Sequence, residues 1–442
     1  MASTRNTVSS KSKPGKGAPK KSGHANVTTV GEVQNNLAVL AENLCGNQAM
    51  AKTQLILTRG EAAYYVWRQA ITGDDKRQEI ARKFACIPWL LQLISGTDNF
   101  TKHSAIGCLQ FLAHSEDLRE LIIQRGYGDK ALGNVVKMLE GDHDRTRVRA
   151  AALLYQVCQV ADIVFMLKDY LRVVVHLLQP QPHKWAGGED ARAFAAGILR
   201  CFAHCDYNDD FKNSLPEGQT MKGALVAEGV VKPLVELMMT GNTMAQTESV
   251  SLLAVLSEEE GVALEILEMG GLPTLVRLLE KGQDEARAHA AGVILLIAVE
   301  PEYMDMIAQA GAIAPLVNLL SPPDDRGLQL VKKTKTKRKG AALPPAIELG
   351  MQNAAGALRH LSFHDPCIKP IVEAKAIQPL VKLLDSRNVQ TFQHATGVLY
   401  NIALDAQHYE ELVAAKAPEY LTRPLHQRWL INKFTLTEGT ST

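Results

Sequence analysis

The chain has 442 residues, 48 basic and 47 acidic side chains, 46% hydrophobic residues and 5% aromatics. This balance excludes a wholly disordered chain, and the most apolar run, Ala291 to Val299, is too short to cross a bilayer. The seven cysteines (Cys45, Cys86, Cys108, Cys158, Cys201, Cys205 and Cys367) are an odd number scattered through hydrophobic stretches, with no apolar signal segment before them. They read as reduced core residues and not as a disulfide framework.

Charge is unevenly placed. Residues 1 to 31 carry six Lys/Arg and no acid, and residues 326 to 339 carry seven and no acid, which leaves the rest of the chain at −12. An acidic body is expected to carry two basic appendages. The first, with KSKPGKGAPKK from Lys11, interleaves lysine with proline and glycine and predicts a disordered tail over 1–30. Its serine-rich start is also compatible with an organelle transit peptide.

Beyond the tail, a helical stretch from Glu61 to Ile71 is followed by a phrase that recurs: LLQLI from Leu90, VVKML from Val135, VVHLL from Val174, LVELM from Leu234, LVRLL from Leu275, LVNLL from Leu316 and LVKLL from Leu380. The period is near 41 residues, with insertions of about 19 and 23. A second phrase follows each copy, small residues first and leucines after, as in SAIGCLQFLA from Ser104, AAGILRCFA from Ala195, AAGVILLIA from Ala290 and ATGVLYNIA from Ala395. Small residues at a helix start predict close approach to a neighbouring helix. A third, shorter amphipathic stretch ends in glycine at Gly126, Gly229, Gly270 and Gly311, and Pro88, Pro233, Pro273, Pro315 and Pro379 open the helices that follow such turns. Each unit is therefore expected to hold one short helix, a sharp turn and two longer helices.

These phrases at this period resemble the armadillo repeat family over roughly residues 55 to 425, in a catenin-like or plant-type form. The resemblance implies an all-α, right-handed superhelical α-solenoid of about seven to eight repeats. We expect the solenoid to occupy 31–430, with loop insertions near 179–190, 205–222 and 321–345 and a C-terminal tail over 431–442. YLTRPL at Tyr420 falls one period after Leu380, so the last unit is expected to be an atypical one that shields the core.

Members of this family mostly bind other proteins along a concave groove lined by third helices. The resemblance places the family's ligand-facing asparagine at Asn401, and Phe111, Gln156, Cys201, Val255, Leu296 and His360 at the matching positions of earlier units. The tryptophan that nuclear import adaptors pair with it is replaced by Gly107, Ala152, Gly197, Ser251, Gly292, Gly356 and Gly397. With both ladders missing, classical nuclear-signal binding is not expected. The candidate groove is then apolar at Phe111, Val255 and Leu296 and polar at Gln156, Gln352, His360, Gln393 and Asn401. Some of these residues could instead simply pack against neighbouring units.

No phosphate-binding glycine loop, paired zinc-ligand clusters or serine elbow is present; Cys201, His204 and Cys205 have no second cluster to complete a four-ligand zinc site. The chain is expected to be a non-enzymatic protein-binding scaffold without cofactor or metal, monomeric, cytoplasmic and/or nuclear. The rival expectation is a binder of nucleic acid or anionic membrane surfaces through the tail and the loop containing Lys332, Lys333, Lys335, Lys337, Arg338 and Lys339, which resembles a nuclear localisation signal. That loop has no aromatic residue to stack on bases, so nucleic acid is the weaker expectation. A third is an adaptor subunit of a ubiquitin ligase or of nuclear transport.

Overall fold

The computed structural model describes residues 34–45, 57–128, 131–160, 164, 167–180, 188–204, 220–321 and 343–418, and every regular element among them is helical. The basic tail, most of the three expected insertions and the C-terminal tail lie outside these residues.

One unit shows how the chain builds the repeat. Val262–Glu268 is a short helix that buries Val262 and Ile266. It ends where Gly270 takes φ +72°, and the amides of Gly270 and Gly271 return to the carbonyls of Leu267 and Ile266, each at 2.9 Å. That left-handed turn satisfies carbonyls the helix would otherwise leave bare. Leu272–Lys281 follows, with Pro273 in its first turn, where a missing N–H costs nothing. Asp284–Ile297 completes the unit.

Across the chain the first and second helices are mostly seven to ten residues long and only the third is consistently longer, so the expectation of two long helices per unit is corrected. A second correction concerns Gly126: the helix Glu116–Gly128 runs through it. Where no glycine is available, Ala85, Lys375 and Lys416 adopt positive φ themselves (47°, 63° and 58°).

The third helices are α1 (Arg59–Ile71), α2 (Asn99–Leu112), α3 (Asp144–Val157), α4 (Gly188–Ala203), α5 (Thr243–Leu256), α6 (Asp284–Ile297), α7 (Pro345–Leu361) and α8 (Val389–Ile402). Most begin at a side-chain cap. Asp98, His143, Asn242 and Asn388 each accept from the backbone amide three residues on, and Thr58 and Glu61 form a reciprocal capping box. Arginines then pin this helix to the one before it. Arg147 Nε donates to Gly141 O at 3.1 Å, Arg192 Nε to Leu178 O at 2.8 Å and Arg287 Nε to Leu279 O at 2.9 Å. Carbonyls at a helix C-terminus are the natural partners for a cation.

Successive third helices lie side by side, each unit touching its neighbours, and one continuous core runs from Leu37 to Ala415. One position in the stack, held by Ile106, Ala151, Ala196, Val250, Ala291 and Ala355, is fully buried in every unit from α2 to α7. Four alanines and a valine among six residues there let the helices approach closely, which is why the sequence keeps small residues at that place.

Candidate partner-binding surface

The candidate residues fall one per unit near the C-terminal end of successive third helices. Phe111, Gln156, Cys201, Val255, Leu296 and His360 are all half-buried, and Asn401 is buried with 6% exposure. Gln352 and Gln393 lie one turn or more earlier, on α7 and α8. The structure thus brings the seven matching positions into a single row along the stack. It also gives several of them partners within the protein.

Phe111 stacks on His114 with ring centroids 5.4 Å apart, and Gln156 Nε2 lies 3.3 Å from His114 Nδ1. Gln352 is fully engaged: its Nε2 donates to Gln390 Oε1 at 2.6 Å, and its Oε1 accepts from Asn388 Nδ2 at 2.9 Å. Asn401 Nδ2 donates to Ser362 Oγ of the preceding unit at 2.8 Å. The amide expected to meet a partner's backbone therefore has one donor already committed to holding two units together. Gln393 is exposed, and His360 packs edge-on to Phe363.

A further set of residues escaped the sequence reading and closes the floor of this row. Each glycine at the tryptophan-equivalent positions is roofed by a side chain from the unit before it. A β-carbon added to Gly107 would come within 3.2 Å of the Trp67 indole, one on Gly356 within 3.1 Å of Leu295, and one on Gly397 within 3.0 Å of Arg359. Residues from the unit after it complete the cover. Arg149 lies 4.8 Å above the Trp67 ring, His394 Nε2 would be 3.3 Å from a β-carbon on Gly356, and Asn353 Nδ2 would be 2.9 Å from one on Gly292. This face of the third helices is thus paved by interleaved side chains that link units two apart. Aligning the third helices on their glycines would have exposed the pattern, since the covering residues sit three positions after and three before the small residue.

Electrostatics vary along the row. At the N-terminal end, burial together with Arg149, His143 and Arg145 pulls the His103 imidazole down to about 4. In the middle, Tyr155 donates to Glu248 Oε1 at 2.7 Å, and Arg200 lies 3.5 Å from Glu248 Oε2. Burial raises the Glu248 carboxyl against the opposing pull of Tyr155 and Arg200. His289, buried near Arg200 and His204, is likewise pulled down to about 4. At the C-terminal end burial lowers His360 and His394, with Arg359 adding to the effect. These imidazoles are neutral at pH 7, so the row's charge there comes from its arginines and lysines against Glu248 and its acidic neighbours.

Other features singled out in the sequence are also placed. Glu258 pairs with Lys222 at 2.5 Å and Glu259 accepts from Thr220 at 2.9 Å, so the acidic run after α5 is partly engaged by the helix that precedes it in its own unit. Cys201 is half-buried on α4, while Cys205 lies outside the described residues, as do Lys332 to Lys339. Among the described residues no helix is long and apolar enough to cross a membrane.

Residues 364–404 match the armadillo/beta-catenin-like repeat. No curated protein matches significantly. Among solved structures, an engineered protein superposes over 90% of this chain and 88% of its own at 23% identity, with a TM-score of 0.57. A chain from a structure of the interaction between cadherin and beta-catenin superposes over 85% of this chain at 15% identity, with a TM-score of 0.56; the present chain spans 62% of its length. A designed armadillo repeat protein aligns over 61% of the chain at 21% identity and a TM-score of 0.44. The matched repeat and the shared fold show an α-solenoid that carries an armadillo/beta-catenin-like repeat at residues 364–404.

Proposed function

We propose that this protein is a non-catalytic scaffold or adaptor of the catenin-like kind, which holds an extended segment of a partner protein along the row of third helices. The observation that carries this reading is the row itself. From α2 to α7 one half-buried side chain per unit, each a different residue type, lies beside a floor paved by interleaved residues. A repeated backbone displaying non-repeated side chains suits recognition of one particular segment. The cadherin interaction described for beta-catenin, whose fold is similar, supports protein as the partner class.

Selection of peptides of 12 to 16 residues against the full chain tests the proposal. Selected peptides should lose about tenfold or more in affinity on Leu296→Glu or Val255→Glu, because a carboxylate placed under a bound apolar side chain loses water without gaining a partner. Their affinity should change little between low and moderate salt. Binding that survives both substitutions but collapses with salt, or on removal of residues 1–30 or neutralisation of Lys332 to Lys339, would transfer recognition to the basic appendages.

A further inference from the structure

The last third helix presents a face made to receive another helix, and nothing among the described residues covers it. Val389, Phe392, Thr396 and Tyr400 recur at helical spacing on one side of α8. Three of them are large and exposed: Val389 by 66%, Phe392 by 39% and Tyr400 by 57%. Comparison with the earlier units shows what is missing. Thr396 occupies the position of Ile106, Ala151, Ala196, Val250, Ala291 and Ala355, each 0% exposed because the next third helix lies on it, yet Thr396 is half-exposed. Tyr400 occupies the position of Tyr155, Leu295 and Arg359, which in the latter three lies against a glycine of the following unit.

A further repeat nevertheless begins after α8. Tyr409–Ala414 repeats the short first helix, Leu412 is fully buried as Ile371 is one unit earlier, and Lys416 turns the chain at φ +58° just as Lys375 does at +63°. The described residues stop two positions later, at Pro418. The stretch that follows, Tyr420 to Phe434, holds Tyr420, Leu421, Leu425, Trp429, Leu430, Ile431 and Phe434, with Arg423, Arg428 and Lys433 and no acid.

We infer that Tyr420–Phe434 of the same chain docks on the Val389, Phe392, Thr396 and Tyr400 face of α8, closing the end of the solenoid. Reach permits it. The eleven residues from Pro418 to Trp429 extend to about 36 Å, whereas a 14-residue helix is about 21 Å long. Chemistry favours it as well, since the segment brings seven apolar side chains to a face with three large exposed ones. A covered Thr396 would meet the segment as Ala355 meets α8.

The experiment compares the full chain with one ending at Pro418, each with and without Thr396→Arg. The inference expects the shorter chain to melt lower, and Thr396→Arg to lower Tm by about 3 °C or more in the full chain but negligibly in the shorter one, because only there is the arginine left in water. Hydrogen exchange on the unmodified full chain gives a readout that does not depend on the truncation folding: amides of 420–434 should be protected, and Thr396→Arg should release them. Equal effects of Thr396→Arg in both chains, or unprotected amides in 420–434, would overturn the inference. So would a dimer in sedimentation that Thr396→Arg dissociates, since a second copy would then be the occupant.

Discussion

Tyr155 on α3 reaches across α4 to donate its hydroxyl hydrogen to Glu248 on α5 at 2.7 Å, and Gly197 is the residue it crosses. A β-carbon on Gly197 would collide with the tyrosine ring and come within 2.9 Å of Glu248 Oε2. Two units that are not adjacent in the stack are thereby tied together through the missing side chain of the unit between them. Tyr155→Phe should cost about 1–3 kcal/mol, the range for a hydrogen bond to a buried charged group, read by chemical denaturation. Gly197→Ala should cost more than Tyr155→Phe, and adding Tyr155→Ala should recover part of that loss. Gly197→Ala with unchanged stability would show that the ring is not held across α4.

His289 gives the solenoid an acid-sensitive point. Its folded pKa of about 4 lies below the ordinary 6.5, so the folded state favours the neutral ring. Stability from this group is complete above pH 6.5 and is lost as pH falls toward 4, where the unfolded chain takes up the proton more readily. The loss should reach about 1–3 kcal/mol near pH 4. Urea titrations at pH 7, 5.5 and 4.5 should show a shallower pH dependence for His289→Gln than for the unmodified chain. Parallel curves would place the titrating group elsewhere.

Asn401 and Leu296 should part company under mutation. Asn401→Ala removes the bond to buried Ser362 and should cost about 1 kcal/mol of stability even with no partner present. Leu296, half-buried near the end of α6, should accept glutamate with helicity retained in circular dichroism. If Leu296→Glu unfolds the protein, Leu296 is a core residue and the recognition row is rotated toward the neighbouring positions.

Lys375 and Lys416 close first helices with positive φ where other units use glycine. A left-handed conformation costs a side-chain-bearing residue about 1 kcal/mol, partly offset by the greater freedom glycine has when unfolded. Lys375→Gly should therefore raise stability by about 0.5–1 kcal/mol, measured from the denaturation midpoint at unchanged slope. The same substitution at Lys382, inside the following helix, should lower it.

Much of the architecture was legible in the chain alone. Leucine phrases at a period near 41, prolines in first turns and the glycines at 229, 270 and 311 determined the three-helix unit, because helix starts, stops and buried faces depend on local residue types. Gly126 shows the limit of that logic, since a glycine permits a left-handed turn without compelling one. The row of candidate residues was legible as positions, Phe111 through Asn401, but not as contacts. That Asn401 bonds Ser362, that Arg149 lies on Trp67 and that Tyr155 finds Glu248 were decided only by the tertiary structure. Each joins residues of different repeats, 39 to 93 positions apart, and depends on how the units are rotated against one another. Periodicity names the residues that share a face; only the stacking of one unit on the next sets which of those faces meet.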